Sequence, residues 1–176
     1  MGLQLIICVE TNQKTKSDYI YIKNTIENFY YVNQSGIRLS PVFMDGKGNY
    51  DSRKTVKTIA DFIRKYHAAS KNNKSIVIYC FDCDNFDTNP TDKEFLDTVQ
   101  KYCKDREYRF AWFCRDIEHV YLGKQIPDKE KGRAAERFAA SHSIKEVELE
   151  KLLSNRMQNH RSNLCSVLDE FLRRKE

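Results

Sequence analysis

The most constraining feature of this sequence is an alternation between short, nearly continuous apolar runs and longer segments with helical periodicity. The runs Leu3–Val9 and Ser75–Phe81 are typical of strands that are buried on both faces of a parallel sheet. Ile37–Met44 and Tyr108–Phe113 have strand composition as well, and helical patterns separate the four runs. The order βαβαβαβ predicts an α/β fold, Rossmann-like, with a mostly parallel four-stranded sheet flanked by helices.

The last part of the chain has a helical pattern. We expect one helix near Lys129–Ala140 and more helix from about Ser143, since Ser143 and Glu146 have the spacing of a capping box. The final apolar stripe either packs onto the sheet or forms a dimer contact, and it consists of Leu164, Val167, Leu168, Phe171 and Leu172. The predicted organisation is an α/β core over residues 1–123 and a helical C-terminal extension over 124–176 that packs on the same domain.

Composition narrows the class of protein. With 40% hydrophobic and 31% charged residues in 176, the chain has the make-up of a globular protein, which excludes collagen-like and disordered classes. The apolar runs are far shorter than the ~18–20 residues of a transmembrane helix. No basic segment leads into a long apolar one near the N-terminus, so we expect a cytoplasmic protein without a membrane partner. The net charge of +5 permits an anionic partner without demonstrating one.

The cysteines indicate buried thiols more than a disulfide or metal framework. The chain has 6, and most lie within apolar segments. Cys80 and Cys83 have CxxC spacing, but residues three apart on a strand point to opposite faces of the sheet. The spacing therefore argues against a shared zinc ion or a redox-active dithiol.

Acidic residues follow the predicted strands where each strand ends. Glu10 follows the first strand and Asp45 the second, whereas Asp82 and Asp84 lie at the end of the third. If the strand order is 2-1-3-4, Glu10, Asp82 and Asp84 converge at the carboxyl edge of the sheet, where ligands of such sheets bind. Converging carboxylates repel one another unless a cation balances them, and Mg²⁺ suits an open site with few carboxylates. The alternative is a polar turn with helix-capping functions.

Three segments resemble one known family. The first strand ends in Glu10, Phe81-Asp82-Cys83-Asp84 has the form FDxD, and Cys114–Leu122 follows the fourth strand with Glu118 within it. This pattern resembles the Toprim domain of topoisomerases, primases and nucleases, and in particular the RloB-like branch of small Toprim proteins found near restriction and phage-defence genes. The resemblance covers about Leu3 to Leu122.

The sequence departs from the motifs of that branch at several positions. Thr11 stands where the family has Gly after its first Glu, and Lys16 replaces the second Glu of the same motif. The Asn-Pro of the fourth motif is absent. In one interpretation, Asp18 substitutes for the missing carboxylate. The other two interpretations are a site for a single metal ion and a fold that has lost catalysis.

The resemblance implies metal-dependent cleavage of phosphodiester bonds in DNA or RNA. It assigns Asp82, Asp84 and Glu10 to binding Mg²⁺ or Mn²⁺, with Glu10 as general base or further ligand. Glu118 would coordinate or orient the attacking water. It also implies nucleic acid as the partner, and it leaves open a homodimer or a partner protein within a phage-defence system.

Basic residues near the predicted strand ends are candidate phosphate contacts. They lie in loops or first helical turns, and Gly46 and Gly48 let backbone amides approach an anion beside one of them. The set consists of Lys14, Lys16, Lys47, Arg53 and Arg115. Taken singly, each is more commonly a solvated surface charge.

Two other function classes remain open on the sequence. One is a non-catalytic module of the same fold that binds nucleic acid or a nucleotide. The other is a different metal-dependent enzyme that uses Asp-x-Asp for phosphotransfer. His119 adjoins Glu118 and could serve as an acid, a ligand or a base-stacking group, although a lone His in an apolar helix is more commonly structural. His67, His142 and His160 lie on predicted helical surfaces or near helix ends, without metal-ligand spacing to each other.

Overall fold

A computed structural model describes residues 2–32 and 36–175 and contains a five-stranded sheet. The strands are β1 (Leu3–Val9), β2 (Ile37–Phe43), β3 (Lys74–Asp82), β4 (Arg109–Cys114) and β5 (Arg161–Ser162). Their order is β2-β1-β3-β4-β5, with β1 to β4 parallel and β5 antiparallel to β4. The α/β class, the four parallel strands and the order 2-1-3-4 are confirmed. The short β5 at the sheet edge was not predicted.

Helices cover both faces of this sheet. They are α1 (Ser17–Phe29), α2 (Arg53–Ala69), α3 (Pro90–Asp105), α4 (Ile117–Leu122), α5 (Asp128–Ala140) and α6 (Leu164–Leu168). The buried side chains of α1, α4, α5 and α6 form one hydrophobic cluster with the sheet, and those of α2 and α3 form the other. No helix within residues 2–32 and 36–175 is long and apolar enough to cross a membrane.

Successive side chains of each strand point to opposite faces of the sheet, and this produces the two hydrophobic clusters. In β1, Leu5 and Ile7 face the α1 side, whereas Ile6 and Cys8 face the α2 side. Such a strand is buried on both faces, which explains its continuous apolar sequence. Cys80 and Cys83 belong to opposite clusters, as predicted, and all 6 cysteines are free and buried.

The C-terminal segment differs from the sequence prediction. Helix α5 lies close to its predicted place, but short 3₁₀ turns at Ser143–Glu146 and Leu149–Leu152 replace the longer helix expected from Ser143. The capping box does not form, because His142 occupies the cap position with φ of 54° and Ser143 is already within the turn. The final apolar stripe packs onto the α1 face of the sheet, which decides against the dimer alternative for it. The boundary between 123 and 124 stays a prediction.

Candidate functional site

Glu10 and Asp82 meet where β1 and β3 end. These strands are neighbours, and the parallel register places Val9 opposite Cys80, so the residues that follow emerge side by side. The backbone N–H of Asp82 donates a hydrogen bond to Glu10 Oε1 at 2.9 Å. Asp82 Oδ1 accepts the N–H of Ile117, the first residue of α4, also at 2.9 Å. Glu10 and Asp82 therefore lie side by side, and each carboxylate keeps its second oxygen free of hydrogen bonds to the described residues.

Two further carboxylates lie behind this pair. Asp18, in the first turn of α1, is 8% exposed and accepts hydrogen bonds from the N–H of Thr11 and the hydroxyl of Ser17, both at 3.3 Å. Glu118, in the first turn of α4, is fully buried. The ammonium of Lys131 on α5 lies 3.3 Å from Glu118 Oε2. The four carboxylates, two at strand ends and two in the first turns of helices, thus lie on the same side of the sheet edge.

Burial and mutual repulsion raise the pKa values of these acids. Burial raises the pKa of Glu10 to about 8 despite the hydrogen bond from Asp82, and it raises that of Glu118 to about 7 despite the charge of Lys131. The pKa of Asp82 is well above its ordinary value because of burial and then the charges of Glu10 and Asp18. The pKa of Asp18 is raised by burial as well. The group therefore carries less negative charge than its composition suggests, and a cation would restore it.

Asp84 lies in a different environment from Asp82. The predicted convergence of Asp84 with Glu10 and Asp82 assumes that the chain stays extended, but β3 ends at Asp82 and Asp84 adopts φ of 48°. Lys47 donates a hydrogen bond to Asp84 Oδ2 at 2.5 Å, and its ammonium lies 3.6 Å from Asp92. Burial lowers the pKa of Lys47, but the hydrogen bond to Asp84 and the negative charges of Asp84, Glu10 and Asp92 together outweigh burial, so the pKa is raised overall. Lys47 therefore neutralises Asp84 and does not present a free charge to a ligand phosphate.

The donor chemistry of the Glu10 and Asp82 pair suits a hard divalent cation. Within residues 2–32 and 36–175, no group of three or more His, Cys, Asp or Glu side chains is arranged to hold a metal ion. Mg²⁺, however, is commonly bound through one or two carboxylates, with water and substrate phosphate completing the octahedron. Glu118 Oε1 and Tyr21 Oη are buried without a hydrogen-bond partner among the described residues, whereas Glu118 Oε2 lies against Lys131. This unsatisfied polar capacity fits a hydrated cation held by Glu10 and Asp82, with Glu118 behind them.

The predicted phosphate contacts do not gather at one place. Lys14 lines a cavity at the β2 edge with Asp45 and Lys54, whereas Arg115 lines a separate cavity on the β4 side. Lys16 is the exposed residue before α1, with φ of 40°. Arg53 is exposed at the first position of α2, whose N-cap is Ser52 as predicted. Of the five, Lys47 and Arg115 lie beside acidic residues of this sheet edge: Lys47 is paired with Asp84, and Arg115 lies 3.9 Å from Asp87.

Three residues near the carboxylates were not singled out as site residues from the sequence. Lys131 lies on a helix of the C-terminal segment, 13 positions after Glu118, and no motif surrounds it. Asp116 accepts both the backbone N–H and the Nδ1–H of His119 at 2.8 Å. His160 approaches His119 only through the loop that leads to β5. A strand-then-Asp signal before α4 could have found Asp116, but the other two depend on tertiary packing.

Comparisons of this chain with protein-family models, with curated proteins and with solved structures each found no match. The resemblance to the Toprim domain therefore stays a prediction from the motifs around Glu10, Asp82 and Glu118.

Proposed function

We propose that this chain is a Toprim-type nuclease that uses Mg²⁺ or Mn²⁺ to hydrolyse phosphodiester bonds of DNA or RNA, with defence against phage as its setting. The observation that carries the proposal is the contact between Glu10 and Asp82 at the ends of adjacent parallel strands. Ligands of open α/β sheets bind at this edge. The two carboxylates leave one oxygen each for a cation, and burial together with neighbouring carboxylates raises both pKa values, which a bound cation would lower.

Asp82 and Glu10 would hold the metal ion, and Asp84 would join them only after release from Lys47. When bound, the ion supplies Lewis-acid activation of the scissile phosphate and lowers the pKa of a coordinated water. Glu10 would serve either as a ligand of the ion or as the general base that takes a proton from the attacking water. Glu118, held at the start of α4, orients that water from behind, and the Ile117 N–H keeps the Asp82 carboxylate in place.

A non-catalytic binding module is the second candidate function. Two of the carboxylates already have a cation from the protein, since Lys131 lies against Glu118 and Lys47 against Asp84. Lys16 also stands where the family motif has an acid. In this alternative the fold binds nucleic acid or a nucleotide without cleaving it, and the ammonium groups occupy the place of the metal.

Asp82→Asn tests the nuclease proposal. Asparagine keeps an oxygen that can accept the Ile117 N–H, so the fold is retained while one charged ligand is lost. We expect metal-dependent cleavage of DNA or RNA to fall by at least about a hundredfold in Mn²⁺ or Mg²⁺. Cleavage is measured on single-stranded DNA, duplex DNA and RNA, and metal binding by calorimetry.

Asp45→Asn is the matched control. Asp45 also follows a strand end and is exposed, and its φ of 57° is one that asparagine tolerates. We expect its cleavage rate to match that of the unmodified protein. Undiminished cleavage in Asp82→Asn would rule out the proposed site. Metal or nucleic-acid binding without any cleavage by the unmodified protein would favour the binding module.

A further inference from the structure

A polar cavity of about 530 Å³ lies beside the carboxylate pair, on the β4 side of the sheet edge. Its wall includes Asp84 and Asn85 from the loop after β3, Arg115 and His119 from the segment after β4, and His160 from the loop before β5. Two segments distant in sequence thus contribute a guanidinium and two imidazoles to one space. No sequence motif joins the two histidines.

The guanidinium of Arg115 is held by neutral groups. Its Nη1 donates to Asn85 Oδ1 at 2.8 Å and its Nε donates to Asn159 Oδ1 at 3.2 Å. The nearest carboxylate oxygen, on Asp87, is 3.9 Å from Nη2. Amide oxygens fix the orientation of the side chain without neutralising it, so Arg115 presents a positive charge that is already positioned.

Both imidazoles are oriented through the same ring nitrogen. His119 Nδ1 lies 2.8 Å from Asp116 Oδ1, and His160 Nδ1 lies 2.9 Å from the backbone carbonyl oxygen of His119. Carboxylate and carbonyl oxygens only accept, so each Nδ1 carries a proton, and each Nε2 is left to donate to an anion when its imidazole is protonated. The ring centroids are 5.6 Å apart. Two Nε2 atoms and a guanidinium are therefore available within one cavity.

The two carboxylates in the cavity wall, those of Asp84 and Asp116, are already hydrogen-bonded, which weakens their repulsion of an anion. Asp84 is paired with Lys47, and Asp116 is used by the His119 ring and by the backbone N–H of His119. A phosphate group has several acceptor oxygens and matches the planar fork of Arg115.

We propose that Arg115, His119 and His160 form a phosphate-binding subsite next to the Glu10 and Asp82 pair, which holds a phosphate of the nucleic acid beside the bond that is cleaved. That the phosphate belongs to nucleic acid rests on the proposed function, whereas phosphate binding itself rests on the cavity. The ligand is either an internal phosphodiester or a terminal phosphate, which share this chemistry.

Inorganic phosphate is the first probe, titrated without divalent metal while the imidazole nitrogens are followed by NMR. We expect saturable binding with shifts at Nε2 of His119 and His160. Arg115→Gln should weaken it about tenfold, and His119→Gln or His160→Asn about threefold to tenfold. Asparagine is chosen at position 160 because His160 has φ of 61°. His67→Gln, at an exposed position on α2, is the control and should change the affinity less than about twofold.

Oligonucleotides with a 5′-phosphate or a 5′-hydroxyl separate the two ligand sources. A preference for the 5′-phosphate that Arg115→Gln abolishes assigns a terminal phosphate. Equal binding of both, weakened by Arg115→Gln, assigns an internal phosphodiester. Unchanged affinity for phosphate and oligonucleotides in Arg115→Gln and both histidine variants overturns the subsite, as does a lack of phosphate binding by the unmodified protein.

Asp82→Asn distinguishes failure of the subsite from failure of the nuclease proposal. Asp82 is not part of the cavity wall, so we expect this variant to bind inorganic phosphate within about twofold of the unmodified protein even though it does not cleave. Phosphate binding without any cleavage by the unmodified protein would overturn the nuclease and keep the subsite. Cleavage without phosphate binding by the unmodified protein would overturn the subsite and keep the nuclease.

Discussion

Asp82 and Asp84 are separated by one residue, yet their environments are opposite. Asp82 faces Glu10, Asp18 and Glu118 and has no ammonium or guanidinium paired with it among the described residues, so its pKa is well above the ordinary value. Asp84 is paired directly with Lys47. The chain turn at Asp84, with φ of 48°, separates them. The comparison teaches that an Asp-x-Asp spacing places two carboxylates together only while the strand continues through both.

The same contrast holds for the two lysines. Lys131 is 22% exposed and faces the fully buried Glu118, whereas Lys47 and Asp84 are 36% and 38% exposed. Charge pairs gain importance as water is excluded, because the unpaired partner of a buried pair has no solvent to stabilise it. The two sides of the sheet edge should therefore respond very differently to loss of a lysine.

Lys131→Met is expected to have the largest effect on stability. Methionine keeps the aliphatic stem of the side chain but leaves the Glu118 carboxylate without its counter-ion. We expect the free energy of unfolding to fall by about 3 kcal/mol at pH values near 8, with a smaller loss near pH 5, where Glu118 is protonated. Urea unfolding followed by circular dichroism measures both values.

Lys129→Met is the control for that experiment, since Lys129 is exposed two residues earlier on the same helix. Its effect should stay within about 0.5 kcal/mol. Equal losses in the two variants would show that Lys131 does not act through Glu118, and the distinction between the buried and the exposed side would then fail.

The second prediction concerns pH. Burial raises the pKa of Glu10 from 4.5 to about 8 and that of Glu118 from 4.5 to about 7. Between pH 4.5 and these raised values, the native protein binds more protons than the unfolded chain, so its free energy of unfolding falls as the pH rises. The contribution is complete below about pH 4.5 and is lost by about pH 8, at up to ~1.4 kcal/mol per pH unit for each group.

Urea unfolding of the metal-free protein at several pH values across this range measures that slope. Glu118→Gln should flatten the part of the slope below pH 7, because glutamine does not titrate. Stability that increases between pH 5 and pH 8 in the unmodified protein would contradict the prediction, and so would an unchanged slope in Glu118→Gln.

The sequence predicted what depends on periodicity and on strand ends. The continuous apolar runs determine the parallel sheet, and the order 2-1-3-4 brings Glu10 beside Asp82. It could not predict the turn at Asp84, because a positive φ at an aspartate leaves no mark in the hydrophobic pattern. Nor could it place Lys131 or His160, which reach the site through packing of the C-terminal segment. The 3₁₀ turns after Ser143 differ from the predicted helix for the same reason: local signals there are weaker than tertiary contacts.

Lys47→Met should have the smallest effect and is the sharpest test of the exposed side. Solvent screens a pair as exposed as Lys47 and Asp84, so we expect the free energy of unfolding to fall by less than about 1 kcal/mol, and by less still in high salt. Urea unfolding at low and high salt measures the loss, with Lys93→Met as the control, because Lys93 forms a more exposed pair with Asp97. A loss as large as that in Lys131→Met would mean that Asp84 is desolvated like Asp82. The turn at Asp84 would then not separate two environments, and both aspartates would belong to one buried cluster.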